Sequence, residues 1–179
     1  MIVGYVALTT TYSAVLKHVV ILDVVALASG FVLRAVAGAV ATDVPISNWF
    51  FIVTSFGSLF MAVGKRHAEV VTMGAEAGSH RRVLDGYTPD FLAYLRSVSS
   101  GVVLVAYCLW AFERADIADV AVPWYQISIV PFTTAVLRYA QLLEAGEGGA
   151  PEDLVLRDRM LLLAGAAWAV VFGLGVLAA

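Results

Sequence analysis

Hydrophobic residues in this chain come in long unbroken runs, and the polar residues are gathered between them. Six runs, at 2–16, 19–41, 46–64, 91–112, 123–143 and 159–178, approach the roughly 20 residues that a helix needs to cross a hydrocarbon core of ~30 Å. Lipid offers no partner to backbone N–H and C=O groups, so each run has to satisfy its own as a helix. The pattern therefore predicts an all-α, polytopic transmembrane bundle of about six spans, forming a single domain over residues 1–179. The first run begins directly at Met1 with no polar lead-in, and the first cation, Lys17, follows it. A cleavable signal carries its cations before the apolar run, so this is not one. The abrupt opening creates the expectation that the natural chain starts further upstream.

Polar residues inside a run need a reason. The second run carries Asp23 and Arg34, each of which costs roughly 2.5–3.5 kcal/mol near the middle of a membrane. On a helix they lie eleven residues apart, about three turns, on one face with Leu27, Gly30 and Gly38. That face is expected to turn inward as a polar seam, with Val20, Val25, Phe31 and Val32 towards lipid or neighbouring helices. Two other readings stand beside it: Asp23 lies close enough to the interface to stay hydrated, and Arg34 snorkels outward towards Asp43.

The segments between runs set a topology. Lys17, Lys65, Arg66, Arg81, Arg82, Arg157 and Arg159 fall on one side and Arg114 alone on the other, so the positive-inside rule makes the former side cytoplasmic. Both chain ends then face outward. Trp49, Trp124 and Tyr125 suit an aromatic belt at the outer interface. Pro123 is at home at a helix start, whereas Pro131, eight residues into its run, is expected to kink it. The glycines of the last run, Gly165, Gly173 and Gly175, suit close helix packing.

Composition agrees with a membrane protein: 61% of residues are hydrophobic and 14% charged, against about 45–50% and 25% in soluble domains. The single Cys108 excludes an internal disulfide or a cysteine-based metal cluster. His67 and His80 stand thirteen apart with no third ligand at a regular spacing, which argues against zinc. No P-loop, dinucleotide fingerprint or Gly-x-Ser-x-Gly is present, and no nucleic-acid partner is expected.

The chemistry concentrates in the segment 65–90. Lys65, Arg66 and Glu69 follow the third run, with Lys65 and Glu69 one helical turn apart if the helix continues. Arg81 and Arg82 come later, and Asp85 to Pro89 form a turn. With Lys17 and His18 these gather cations at one membrane surface beside two carboxylates, Asp23 and Glu69. Cations neutralise phosphate oxygens, and a carboxylate can hold Mg2+, so the set suits a phosphorylated ligand. The competing explanation is the positive-inside rule alone.

Several motifs carry a resemblance. The order Tyr12-Ser-x-x-x-Lys17-His18, Asp23, Leu33-Arg34-Ala35-x-Ala37-Gly38, Gly64-Lys65-Arg66-x-Ala68-Glu69 and Arg82-x-Leu84-x-x-Tyr87-Thr88 resembles the UbiA-type intramembrane prenyltransferase superfamily. It is closest to the decaprenyl-phosphate phosphoribosyltransferase branch, as are Trp110-Ala-Phe-Glu113-Arg114, Pro131-Phe132, Leu137-Arg138-Tyr139, Pro151-Glu152-Asp153 and Arg157-Asp158-Arg159.

The resemblance implies a nine-helix bundle of which this chain is the C-terminal two-thirds, with residues 65–90 as a cytoplasmic loop over a cavity open to lipid. It implies transfer of the 5-phosphoribosyl group from 5-phosphoribosyl 1-diphosphate to decaprenyl phosphate, with Mg2+. The product would serve cell-wall arabinan synthesis, and the protein would reside in the plasma membrane, with homo-oligomerisation left open. Lys17, Arg34, Lys65 and Arg66 would contact phosphate, with His18, Asp23 and Glu69 beside them. Asp23 and Glu69 would be the reactive carboxylates, and Arg82 and Tyr87 would order the loop over substrate.

The family's first metal motif, of the type Asn-Asp-x-x-Asp, is absent from this chain, so no metal ligand is assigned within it and the chain by itself is expected to be inactive. Lys65-Arg66-x-x-Glu69 replaces a second Asp-rich motif. That speaks against the alternative of a prenyl diphosphate donor with an aromatic acceptor. A non-catalytic membrane remnant is the other alternative.

Overall fold

The structure is a computed structural model that describes residues 2–43, 46–73, 86–118, 120–147 and 151–178. The described residues form helices and short connections, with no strand among them, so the chain is a helical membrane bundle. In order these are α1 (Ile2–Ala14), a 3-10 turn (Leu16–His18), α2 (Leu22–Ala41), α3 (Asn48–Met73), α4 (Pro89–Ala118), α5 (Trp124–Ile127), α6 (Ile129–Glu144), α7 (Pro151–Arg157) and α8 (Arg159–Ala178). Among them α2, α4 and α8 are long and apolar enough to cross a membrane.

Local chemistry explains several boundaries. Ser47, Thr88 and Asp158 each accept a hydrogen bond from the backbone N–H three residues on, at Phe50 (3.0 Å), Phe91 (3.2 Å) and Leu161 (2.8 Å), and so start α3, α4 and α8. Pro89 occupies the first position of α4, where its missing N–H costs nothing. At the end of α6, Gly146 adopts φ 84° and the Glu147 N–H returns to the Leu142 carbonyl at 3.1 Å, a left-handed cap that glycine adopts without strain.

Two expectations about the spans change, and one is met. The segment expected to form a loop from Lys65 begins as helix, because α3 runs on to Met73; Arg81 and Arg82 lie outside the described residues. The expected kink of the fifth run falls at Ser128, where α5 and α6 meet and the residue keeps helical angles. Pro131 explains the position: its ring excludes a hydrogen bond to the residue four before it, Ile127, where α5 ends. Tyr125 is no belt residue, being 7% exposed and edge-on to Trp110 and Phe172.

α3 is the central element, packed on α2 and α4 and, at its later turns, on α6. One core cluster joins Val24, Ala28, Ala62, Val63, Tyr87 and Leu92 across α2, α3 and α4. A second joins Phe60, Tyr139, Leu143, Leu154 and Leu161 across α3, α6, α7 and α8. Gly64 lets α6 approach α3: a Cβ there would lie 2.6 Å from Leu143 Cδ2. Gly175 does the same for Tyr125 and Trp124, whereas Gly165 and Gly173 have open space around them.

Candidate functional site

Asp23 lies in the first turn of α2 and is completely buried. A carboxylate in that position needs donors, and α3 supplies them. Arg66 forms a two-pronged contact, Nε to Oδ2 at 2.5 Å and Nη2 to Oδ1 at 2.9 Å. Its Nη2 also donates to the Tyr12 hydroxyl at 3.0 Å, and that hydroxyl donates to Asp23 Oδ1 at 3.0 Å. The remaining fork, Nη1, donates to Glu69 one turn further along α3. Helical spacing places Arg66 and Glu69 on one face, and α1 brings Tyr12 across.

The guanidinium is thus surrounded by two carboxylates and a phenol, and it is 1% exposed. Such a cation is committed to the protein's own anions. Arg66, expected above to contact phosphate, fixes Asp23, Tyr12 and Glu69 relative to each other and joins three helices at one point.

Lys17 and His18 sit in the 3-10 turn between α1 and α2, Lys17 half-buried and His18 exposed. Lys65 is exposed beside the buried Arg66, since adjacent residues on a helix point about 100° apart. These three lie at the same end of the bundle as the buried pair, each at least partly open to the surface. Arg34 does not join them. It lies about 16 Å along the α2 axis from Asp23, donates to the Tyr5 hydroxyl at 3.1 Å, and stacks over the rings of Phe31 (5.0 Å) and Tyr5 (5.5 Å). The expected inward seam stops accordingly at Gly30; Arg34 and Gly38 are exposed. Arg82 lies outside the described residues.

Tyr87 is buried and its hydroxyl accepts a hydrogen bond from the backbone N–H of Ile21 at 3.2 Å. Burial pushes the pKa of that phenol up, so it is protonated throughout the physiological range.

A groove of about 460 Å3 opens between α1, α2 and α3 just beyond the buried pair, with Leu8, Val25, Ala28, Val32, Phe51 and Leu59 in its walls. It is apolar throughout except for Ser29 and Ser55. Charged groups at one end of a bundle next to an apolar groove suit an amphiphile with an anionic head.

Sequence reasoning missed Tyr12 as a member of the site, although it opens the first motif. It also missed a second polar set, in which the buried Arg96 of α4 donates to the exposed Glu144 at the end of α6 with His67 buried nearby.

No protein-family model matches the sequence. Curated proteins do. The decaprenyl-phosphate phosphoribosyltransferase of Corynebacterium glutamicum is 43% identical over 164 residues, which is 92% of this chain and 49% of that protein. Those of Mycolicibacterium smegmatis and Mycobacterium tuberculosis are each 39% identical, over 96% and 98% of this chain and 56% and 57% of their own lengths. The chain spans about half the length of the curated relatives it matches. By sequence it is similar to the decaprenyl-phosphate phosphoribosyltransferases over about half of their length, the branch its own motifs resemble.

Proposed function

We propose that this chain is part of a membrane phosphoribosyltransferase that moves a 5-phosphoribosyl group from 5-phosphoribosyl 1-diphosphate to decaprenyl phosphate. The observation that carries the reading is the convergence of Tyr12, Asp23, Arg66 and Glu69, from three separated motif stretches, in a chain 39–43% identical to proteins named for that activity.

In the reaction the bond from the ribose C1 to the diphosphate oxygen breaks, and a lipid phosphate oxygen forms the new bond to C1. Diphosphate departs with the electron pair. Charge at C1 rises as the bond stretches, so catalysis rests on holding two anions close and neutralising them. Among the described residues, Lys17, His18 and Lys65 are partly or fully exposed donors at the end of the bundle that holds Asp23 and Arg66. Arg66 keeps Asp23 and Glu69 in place behind them. The groove between α1, α2 and α3 would take the first part of the polyprenyl chain, with the lipid phosphate at its polar end. The active end faces the cytoplasm in this reading, and the membrane is the plasma membrane.

The resemblance also implies Mg2+. Among the described residues no group of three His, Cys, Asp or Glu is placed to hold a metal, and both oxygens of Asp23 are engaged by Arg66. The described residues do not fit a metal site by themselves, and no step is assigned to one.

The test is transfer of label from 5-phosphoribosyl 1-diphosphate into the lipid fraction. Membranes would contain this chain alone, or this chain joined to the part of the C. glutamicum relative that it does not match. Labelled decaprenyl phosphate product in either, lost on Lys17→Ala or Lys65→Ala, supports the reading. Full activity in both variants overturns the assignment of those cations, and no product in any arm overturns the activity.

A further inference from the structure

The backbone just before Asp23 is unusual. Ile21 has φ 74° and ψ −52°, a conformation that branched side chains rarely adopt because Cβ crowds the backbone. Ile21 is the apex of a turn closed by the Asp23 N–H on the Val19 carbonyl at 3.0 Å. The turn therefore ends on the residue whose carboxylate holds Arg66.

Something must hold the apex, and Tyr87 is the group in contact with it. Its hydroxyl accepts the Ile21 N–H at 3.2 Å, a donor otherwise without an intrahelical partner at the start of α2. The ring is fixed independently: it is 3% exposed, belongs to the core cluster with Val24, Val63 and Leu92, and stacks on Phe91 at 6.4 Å. The preceding residue touches the same turn. A Cβ on Gly86 would lie 2.3 Å from Val20 Cγ2, so only glycine allows this approach.

We propose that Tyr87 is a positioning residue for Asp23. Its hydroxyl holds the Val19–Asp23 turn in its left-handed form, and the turn aims the carboxylate at Arg66 and Tyr12. Residues at the entry to α4 thereby control a charge pair formed by α2 and α3. This goes beyond the activity proposed above and depends only on the geometry of the turn.

The experiment reads Arg66 directly. In the full chain in lipid nanodiscs, labelled for arginine side-chain NMR, the Nε–H of Arg66 bound to Asp23 should exchange slowly with water, and Asp23→Asn should abolish that protection. Tyr87→Phe keeps the ring and removes the hydroxyl; it should speed the exchange tenfold or more while the amides of α8 stay as protected as before. Gly86→Ala should act in the same direction.

Ile21→Gly is the discriminating variant, because glycine adopts φ 74° freely and the Ile21 side chain is 50% exposed. Placed in Tyr87→Phe, it should return the exchange to within threefold of the natural chain, a rescue that mere loss of packing would not allow. Unchanged Arg66 exchange in Tyr87→Phe overturns the proposal, as does a loss that Ile21→Gly leaves in place. A failure of phosphoribosyl transfer touches neither result.

Discussion

Two of the polar centres among the described residues, each joining several helices, use opposite chemistry. Between α2 and α3 the centre is ionic: Asp23, Arg66 and Glu69, with Tyr12 donating in. Among α4, α5, α6 and α8 it is neutral. There the Trp168 Nε1–H donates to the Tyr107 oxygen at 2.6 Å, and Tyr107 lies 2.6 Å from Ser128 Oγ, which in turn donates to the Tyr125 carbonyl at 2.6 Å. With the serine proton committed to the carbonyl, Tyr107 must be the donor to Ser128, and the chain of donors runs one way. Phe132 stacks on Tyr107 at 3.8 Å and seals it.

The difference is instructive because an all-neutral relay suffices to tie helices together. A buried ion pair is on average no more stabilising than a well-packed apolar substitute. Charges at the first centre therefore point to a task beyond cohesion, whereas the second centre reads as structure.

The comparison breaks most visibly at Asp23. Asp23→Ala leaves the Arg66 guanidinium buried beside one carboxylate and is expected to cost about 3–5 kcal/mol in unfolding measured in detergent. Replacing both partners, Asp23→Leu with Arg66→Met, should recover most of that stability while any phosphoribosyl transfer is still lost. Recovery of transfer in the double variant would show the pair to be structural after all.

At the neutral centre the expected loss is smaller. Tyr107→Phe strands the Trp168 N–H and should cost about 1–3 kcal/mol, with transfer changed less than twofold once protein amounts are matched. A tenfold drop in transfer would erase the contrast between the two centres.

Gly64 stands where α3 meets α6, between them. Gly64→Ala must push Leu143 aside, and overpacking costs about 1–3 kcal/mol; the better helix propensity of alanine returns about 1. A net loss of about 1 kcal/mol, read as a lower unfolding midpoint, is expected.

The smallest effect lies at the rim. Arg138 holds the Asp158 carboxyl below its usual pKa of 3.8, helped by the Leu161 N–H. A depressed carboxylate contributes fully above its unfolded pKa and loses that contribution as pH falls through its folded one. The stability difference between the natural chain and Asp158→Asn should therefore be constant from pH 7 to about pH 5 and shrink below about pH 4. A difference that persists at pH 2 would assign the effect to the helix cap alone.

Much of this was legible in the residues. Each of the six apolar runs maps onto helix, the fifth onto both α5 and α6 and the last, 159–178, onto α8, whereas α7 lies outside them. Asp23 inside a run demanded a partner. Which cation answers could not be read locally, because Arg34 shares its face at helical spacing while Arg66 lies 43 residues away on another helix. Periodicity ranks neighbours along one helix and is blind to those across a gap. The length of α3 was missed for a related reason: Lys65, Arg66 and Glu69 look like loop residues until the buried partner of Arg66 is known. Tyr87 entered through a motif, and its tie to Ile21 depends on a backbone angle that no residue type announces.

The separation of Asp23 from Arg66 bears on how the protein is made. A ribosome delivers α2 well before the turn of α3 that carries Arg66, so an acid reaches the membrane ahead of its counter-charge. Until α3 is made, the one donor to Asp23 already delivered is the Tyr12 hydroxyl of α1, among the contacts described above.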